Sequence, residues 1–124
     1  MIGLKRNTVR LVPHQKSWKH EFEKEKKRIL RVLGDWIVDV EHIGSTAIPG
    51  MPAKPVIDMQ GGIPTVKITK KQITQLRNLG YQFMQKRSTP SRLFSVKGPP
   101  ARRTHHLHLV KFGGREWKMH PAFR

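Results

Sequence analysis

The sequence contains no cysteine and few acidic residues. Its 124 residues include eight Asp or Glu against 25 Lys or Arg. Without cysteine, disulfides and thiolate metal sites are excluded, and the composition fits the reducing cytoplasm. No apolar run approaches the roughly 20 residues that span a bilayer, and the N-terminus lacks the apolar stretch of a signal peptide. We therefore expect one cytoplasmic domain over residues 1–124, without a membrane segment.

The positive charge is concentrated in the later part of the chain. The net charge is +17, and only two of the eight acids lie after residue 41, together with 15 of the 25 basic residues. Such a field attracts polyanions, so a nucleotide, another phosphorylated small molecule or a nucleic acid is a candidate partner. The alternative is a basic surface that serves solubility alone.

Hydrophobic periodicity predicts an α/β or α+β fold with a mixed sheet flanked by helices. Apolar residues at helical spacing predict a helix that Ser17 caps and Gly34 ends. Thr69 and Gln72 form the pattern of a capping box, which predicts a second helix ending at Gly80. The predicted strands cover residues 36–43, 55–60, 81–84, 92–96 and 104–111, and a last helix begins near residue 116 and stops at Pro121 or the chain end.

The stretch from residue 42 to 60, HIGSTAIPGMPAKPVIDMQ, holds the first candidate site. Gly44 and Ser45 form a turn in which the backbone could approach a phosphate, because glycine has no side chain and serine adds a hydroxyl. Asp58 then follows on a strand, and Gln60 shares its face. A phosphate-holding turn before an acid-bearing strand is the layout of a nucleotidyltransferase site. The usual second carboxylate is replaced by Gln60.

Asp58 is the candidate metal ligand and the candidate catalytic carboxylate. Mg²⁺ or Mn²⁺ prefers oxygen ligands, which Asp58 and the amide of Gln60 offer. Two-metal transfer requires more carboxylates than this strand carries, and Glu41 beside the turn is a further candidate. The alternative is a structural Asp58 paired with an arginine or lysine.

Histidines on a later strand form a second candidate group. Alternation places His106 and His108 on one face and His105 on the other, with Leu107. Two histidines on one face can bind a transition metal, hold phosphate or move protons. A zinc site would need a third ligand, for which His42 is the best candidate. The alternative is that the histidines are hydrogen-bonded residues of a half-buried sheet.

Further basic residues near these strands, together with His42 and His105, are candidates for phosphate binding. Lys54 precedes the acid-bearing strand, and Arg102 and Arg103 precede the histidine strand. Guanidinium groups fit phosphate oxygens. Each of these residues could equally be surface charge, and Trp117 is better explained as a core residue than as a platform for a base.

Several blocks of the sequence resemble the GrpB-like family of predicted nucleotidyltransferases, which also occurs fused to some bacterial dephospho-CoA kinases. The blocks follow the family order and are VRLVP at 9–13, EHIGSTAIPGMPAKPVID at 41–58, RTHHLHLV at 103–110, EW at 116–117 and AFR at 122–124. The resemblance implies a nucleotidyltransferase-like sheet in which Gly44 and Ser45 hold phosphates and Asp58 binds the metal. The family pattern continues past residue 124 into a longer helix, so we expect a chain truncated at its C-terminus.

Three hypotheses about function follow. The first is a metal-assisted nucleotidyl or phosphoryl transferase in which His106 or His108, with Arg103, holds or protonates the substrate. The second is a non-catalytic module that binds a nucleotide, a CoA-like ligand or RNA. The third is an accessory domain that aids the folding of a partner.

Overall fold

A computed structural model describes residues 11–119 of the chain. These residues form three α-helices and five β-strands. The helices are α1 (Ser17–Leu33), α2 (Lys70–Asn78) and α3 (Arg115–Lys118), and the strands are β1 (Asp39–Ile43), β2 (Ile57–Ile63), β3 (Tyr81–Phe83), β4 (Leu93–Lys97) and β5 (His105–Lys111). Residues 9–10 and 122–124, which belong to the family blocks, and Pro121, which was expected to stop the last helix, lie outside the described part of the chain.

The five strands form one mixed sheet in the order β1-β2-β5-β4-β3. Only the central β2–β5 pair is parallel, and the other three pairs are antiparallel. Because parallel strands need a long crossover, α2, β3 and β4 all lie between β2 and β5 in the chain. The predicted fold class, a mixed sheet with helices, is confirmed.

The hydrophobic core lies between one face of this sheet and the helices α1 and α2. The core residues of α1 recur at helical spacing, as in Phe22, Ile29 and Leu33, and pack with sheet residues such as Met59 and Leu107. Alternation along the strands then turns the other set of side chains away from this core. The second face of the sheet therefore carries polar residues of β2 and β5 such as Asp58 and His108.

The ends of α1 differ from the prediction. Ser17 is the first helical residue rather than the cap, and Lys16 precedes it without a side-chain capping bond. Gly34 has φ −65°, so the glycine does not form a left-handed cap. The helix ends instead through backbone bonds from Trp36 and Ile37 to the carbonyl of Leu33. The predicted capping box of α2 is confirmed, since Thr69 and Gln72 bond each other in both directions.

Strand β2 does not end at its two glycines, as the sequence suggested, but continues to Ile63. A Cβ atom on Gly61 would lie 2.8 Å from Leu109 Cδ2, and one on Gly62 would lie 2.6 Å from Phe112 Cδ1. The glycines are therefore explained by close packing on both faces of the strand, not by a turn.

Candidate active site

Asp58 lies at the centre of the sheet face that is turned away from α1 and α2. In the sheet register it is opposite Ile43 of β1 and His106 of β5. Its Oδ1 atom is 3.1 Å from Nε2 of His108, and the side chains of Asp58 and His108 are 33% and 18% exposed. An ionised carboxylate only accepts hydrogen bonds, so His108 donates its Nε2 proton to Asp58.

The other ring nitrogen of His108 is enclosed by the protein. Nδ1 of His108 is buried and has no hydrogen-bond partner among the described residues. It cannot exchange a proton with a ligand in the cleft, whereas Asp58 remains partly exposed. Asp58 is therefore the member of this pair that a substrate can reach, and His108 orients it.

The predicted turn after β1 approaches Asp58 closely. Gly44 has φ +74°, and a Cβ atom at this position would lie 3.0 Å from Oδ2 of Asp58. A 3-10 turn, Ser45–Ala47, follows and is closed by a bond from the amide of Ala47 to the carbonyl of Gly44. The absence of a side chain at Gly44 thus makes room for Asp58, in addition to permitting the backbone angle.

A cavity of about 280 Å³ opens on one side of Asp58. We call it the Lys54 pocket, since the exposed Lys54 is the basic residue of its lining. Its polar lining residues are Ser45, Thr46, Lys54, Asp58 and His106. The structure therefore brings the turn hydroxyl, the lysine, the carboxylate and one histidine around a single cavity.

A second cavity of about 250 Å³ adjoins Asp58 and contains residues that the sequence analysis did not select. We call it the Arg87 pocket, and it is lined by Asp58, Arg87, Arg92, Phe94, His106 and His108. The two pockets share Asp58 and His106. Strand β4 pairs with the histidine strand and brings these arginines to the site, and only that pairing could have revealed them.

His106 lies between the two pockets in its neutral form. Burial lowers the pKa of its imidazole to about 4, although the Asp58 carboxylate acts in the opposite direction. Its ring contacts Phe94 edge-on, with 5.3 Å between the ring centroids. At neutral pH His106 therefore supplies hydrogen-bonding nitrogens to the cleft, and the positive charge comes from lysine and arginine.

Two of the predicted phosphate-binding histidines lie on the opposite, core-facing side. The ring of His42 stacks on Phe22 with centroids 4.8 Å apart, and its Nε2 is 2.9 Å from Oγ1 of Thr46. Nδ1 of His105 is 2.8 Å from Oγ1 of Thr104. Burial lowers the pKa of both rings. His42 lines neither pocket around Asp58, because it lies on the β1 face that carries the buried Val40, so the structure does not bring it to His106 and His108 as a third zinc ligand.

Two further candidates are engaged elsewhere. Gln60 is 5% exposed and donates a hydrogen bond of 3.4 Å to the backbone carbonyl of Trp117. Arg103 donates a 2.6 Å bond to the carbonyl of Gly98 and lines a separate cavity with Tyr81. Neither side chain lines the pockets around Asp58, so the structure does not assemble Arg103 or Gln60 with the proposed site.

The described residues around Asp58 do not provide a two-metal centre. Within residues 11–119, no group of three or more His, Cys, Asp or Glu is arranged to hold a metal ion. The amide of Gln60 is directed to Trp117, and Glu41 lies opposite Gln60 in register rather than opposite Asp58. Mg²⁺ often takes one carboxylate together with substrate phosphates. Among the described residues, Asp58 is the one carboxylate that lines the two pockets, so a two-metal centre would lack its bridging carboxylates.

Comparison with known proteins assigns the chain to a family. The family model described as GrpB protein matches residues 8–124. The chain belongs to the GrpB family. A crystal structure of GrpB from Enterococcus faecalis superposes with a TM-score of 0.76 at 30% identity, over 85% of this chain and 63% of that one.

Curated GrpB relatives are mostly longer than this chain. It is 33% identical to the glutamate-rich protein GrpB of Alkalihalophilus pseudofirmus over 100% of this chain and 74% of that protein. It is 33% identical to the UPF0157 protein YqkA of Bacillus subtilis, with 94% and 34% covered. A dephospho-CoA kinase of Mycolicibacterium paratuberculosis matches at 30% identity, over 93% of this chain and 31% of the kinase. The predicted similarity to a domain found in some dephospho-CoA kinases is thereby confirmed. The activity of these longer proteins is not assigned to this chain.

Proposed function

We propose that the cleft around Asp58 binds a phosphorylated small molecule of the nucleotide class and transfers a nucleotidyl or phosphoryl group from it. The observation that carries this proposal is the Asp58–His108 hydrogen bond, which fixes a partly exposed carboxylate at the junction of two basic pockets. Pockets that combine a few convergent polar groups with a held ionisable residue are the usual places for ligand chemistry. Such a ligand fits the predicted cytoplasmic location.

The Lys54 pocket is the proposed place for the phosphates of the donor. Lys54 offers a mobile ammonium group, and Ser45 offers a hydroxyl at the start of the turn. Both groups suit phosphate oxygens. Phosphate binding by Gly44, Ser45 and Lys54, which the sequence predicts, is part of this proposal.

In the proposed transfer, Asp58 removes the proton from a hydroxyl of the acceptor. The hydroxyl oxygen then forms a new bond to phosphorus, and the bond from phosphorus to the departing phosphate or pyrophosphate breaks. The electrons of the broken bond remain on the leaving oxygen, whose charge Lys54 offsets. His108 keeps Asp58 in place by its Nε2 proton, and neutral His106 donates or accepts a hydrogen bond at the reacting group.

One Mg²⁺ or Mn²⁺ held by the donor phosphates beside Asp58 is part of this proposal, because the oxygen of Asp58 that takes the proton cannot serve as a metal ligand in the same step. Such an ion would neutralise phosphate charge and orient the donor. Gln60 is not included as a ligand, because its amide is directed to Trp117.

Binding without transfer is the second candidate function. The position expected to hold a second carboxylate is Gln60, which is buried and bonded to α3. A site with that substitution could retain a nucleotide, a CoA-like ligand or RNA without reacting with it. The match to a dephospho-CoA kinase is also compatible with an accessory role beside a partner enzyme.

The test compares Asp58→Asn with Asp39→Asn. Both variants remove one carboxylate, but Asp39 lies on β1 in an exposed ion pair with Lys26. Nucleotide binding is measured by calorimetry and turnover by phosphate and pyrophosphate release, with Mg²⁺, with Mn²⁺ and after chelation. We expect Asp58→Asn to reduce turnover by about 100-fold or more, and Asp39→Asn to retain it. Binding that survives chelation without any turnover would favour the second candidate, and absence of nucleotide binding would refute the proposed transfer.

A further inference from the structure

The Arg87 pocket contains two arginines that no acid of the described chain neutralises. Arg87 and Arg92 line it together with a single carboxylate, that of Asp58. Among residues 11–119, the ion pairs within 4.0 Å do not include either arginine, and Asp58 is paired with His108 instead. The simplest structural explanation, that these arginines serve as partners for Asp58, is therefore not supported.

The segment that carries both arginines is held by a set of local hydrogen bonds. Between β3 and β4, the amide of Met84 bonds the carbonyl of Phe94, and Thr89 and Arg92 bond each other through their backbones. Ser88 donates its hydroxyl to the carbonyl of Met84 and accepts the amide of Phe94. The two arginines thus extend from an ordered hairpin connection and not from a free loop.

Phe94 fixes the position of one guanidinium group. The ring of Phe94 is 4% exposed, and the guanidinium carbon of Arg87 lies 4.4 Å from its centroid. His108 contacts the same ring at 4.9 Å. Stacking on an aromatic ring leaves the edge of a guanidinium free to donate hydrogen bonds. Arg87 is therefore held beside the Asp58–His108 pair with donors available to a ligand.

The relation between the two pockets suggests two ligands. They meet at Asp58 and His106 but have different basic residues, Lys54 in one and Arg87 with Arg92 in the other. Each cavity is smaller than the roughly 300–1,000 Å³ of a typical pocket for a whole ligand. In a transfer reaction the acceptor hydroxyl must be held close to the phosphorus of the donor, so both molecules have to be bound side by side.

We propose that the Arg87 pocket binds an oxyanion group, a phosphate or a carboxylate, on the molecule that accepts the transferred group. This inference rests on the proposed function, and it specifies an anionic acceptor with a hydroxyl near that oxyanion. Arg87 and Arg92 hold the oxyanion by paired hydrogen bonds, which directs the hydroxyl to Asp58. Two arginines beside one carboxylate disfavour a cationic acceptor.

The experiment uses inorganic phosphate as the probe for this pocket. Phosphate is titrated into the protein saturated with a non-hydrolysable ATP analogue, and binding is followed by the ring NMR signals of His106 and His108. We expect saturable binding of phosphate in the presence of the analogue. Arg87→Gln combined with Arg92→Gln should weaken phosphate binding by about tenfold or more and leave the affinity for the analogue within about twofold.

The matched control is Arg31→Gln combined with Arg115→Gln, which removes the same charge from two exposed arginines outside both pockets. It should leave phosphate binding within about twofold, because distant surface charges act weakly. Equal weakening by the control pair would overturn the proposal, and so would displacement of phosphate by the analogue, which would show one ligand across both pockets. Failure of the analogue to bind would refute the proposed function, whereas phosphate titrated alone would still decide whether the Arg87 pocket holds an oxyanion.

Discussion

Gly44 and Asp58 show how two residues of the block at 41–58 depend on each other at the scale of single atoms. The glycine has a backbone angle that side chains rarely adopt, and the carboxylate occupies the space next to its Cα. Either feature alone would favour glycine. Together they make the position of the turn and the position of the carboxylate one structural feature.

Gly44→Ala and Gly50→Ala separate these two causes. Both glycines have positive φ, +74° and +79°, but a Cβ atom at Gly50 would meet nothing within 4 Å. We expect Gly50→Ala to cost about 1–2 kcal/mol from its positive φ, and Gly44→Ala to cost up to about 3 kcal/mol, because φ +74° with ψ −171° is a backbone conformation that glycine almost alone adopts. Only Gly44→Ala should also displace Asp58 and shift the NMR signal of His108.

Chemical denaturation and histidine NMR spectra of both variants check this prediction. Equal spectra for the two variants would show that Asp58 accommodates the added methyl group. The steric argument for Gly44 would then be wrong, and only the backbone argument would remain.

At the scale of elements, Glu25 joins α1 to two strands. It is 4% exposed and accepts hydrogen bonds from Tyr81 at 2.6 Å, Lys97 at 3.0 Å and Arg28 at 2.8 Å. Burial alone would raise the pKa of Glu25, but the bonds from Tyr81 and Lys97 outweigh it and the pKa is lowered. The pKa of Tyr81 is raised by burial and by the Glu25 carboxylate. This network fixes α1 on the core face, opposite the candidate site.

Glu25→Gln should destabilise the protein by about 2–3 kcal/mol, because Lys97 and Arg28 lose a buried charged partner. Tyr81→Phe should cost about 1–2 kcal/mol through the loss of one charge-assisted bond. The control is Glu21→Gln, on the same helix in an exposed pair with Lys24. We expect a change within about 0.5 kcal/mol for the control in urea unfolding. A Glu25→Gln variant as stable as the control would contradict the structural role of the network.

At the scale of the whole molecule, folding buries three imidazoles. Burial lowers the pKa of His42, His105 and His106 from the ordinary value of 6.5, in His106 to about 4. The unfolded chain therefore binds protons at these sites before the folded protein does. Their contribution to stability is complete above pH 6.5 and is lost as the pH falls toward the folded pKa values.

The free energy of unfolding should consequently fall between pH 6.5 and pH 4, with His106 contributing roughly 2 kcal/mol of the decrease. Urea unfolding at several pH values in this window measures the slope. His106→Gln should flatten the slope, and substitution of the exposed His20 to Gln should leave it unchanged. A slope that is the same in wild type and His106→Gln would contradict the burial of a neutral imidazole.

The sequence predicted the order of the elements and part of the site. Alternation in β5 separated His106 and His108 from His105 correctly, and Asp58 was placed on its strand. Alternation in β1 could have placed His42 on the same face as Val40. The phosphate-holding turn that directly follows His42 instead suggested that His42 takes part in the site. Arg87 and Arg92 gave no local signal, since their position depends on how β4 pairs with β5.

What the sequence alone determined is the set of helices and strands, the family block and the face of each strand on which a side chain lies. These properties depend on local spacing, hydrophobic periodicity and backbone stereochemistry, which are present in the chain itself. Only the tertiary structure decided which faces meet. The Asp58–His108 contact joins residues 50 positions apart, and it exists because two parallel strands adopt a particular register after a long crossover.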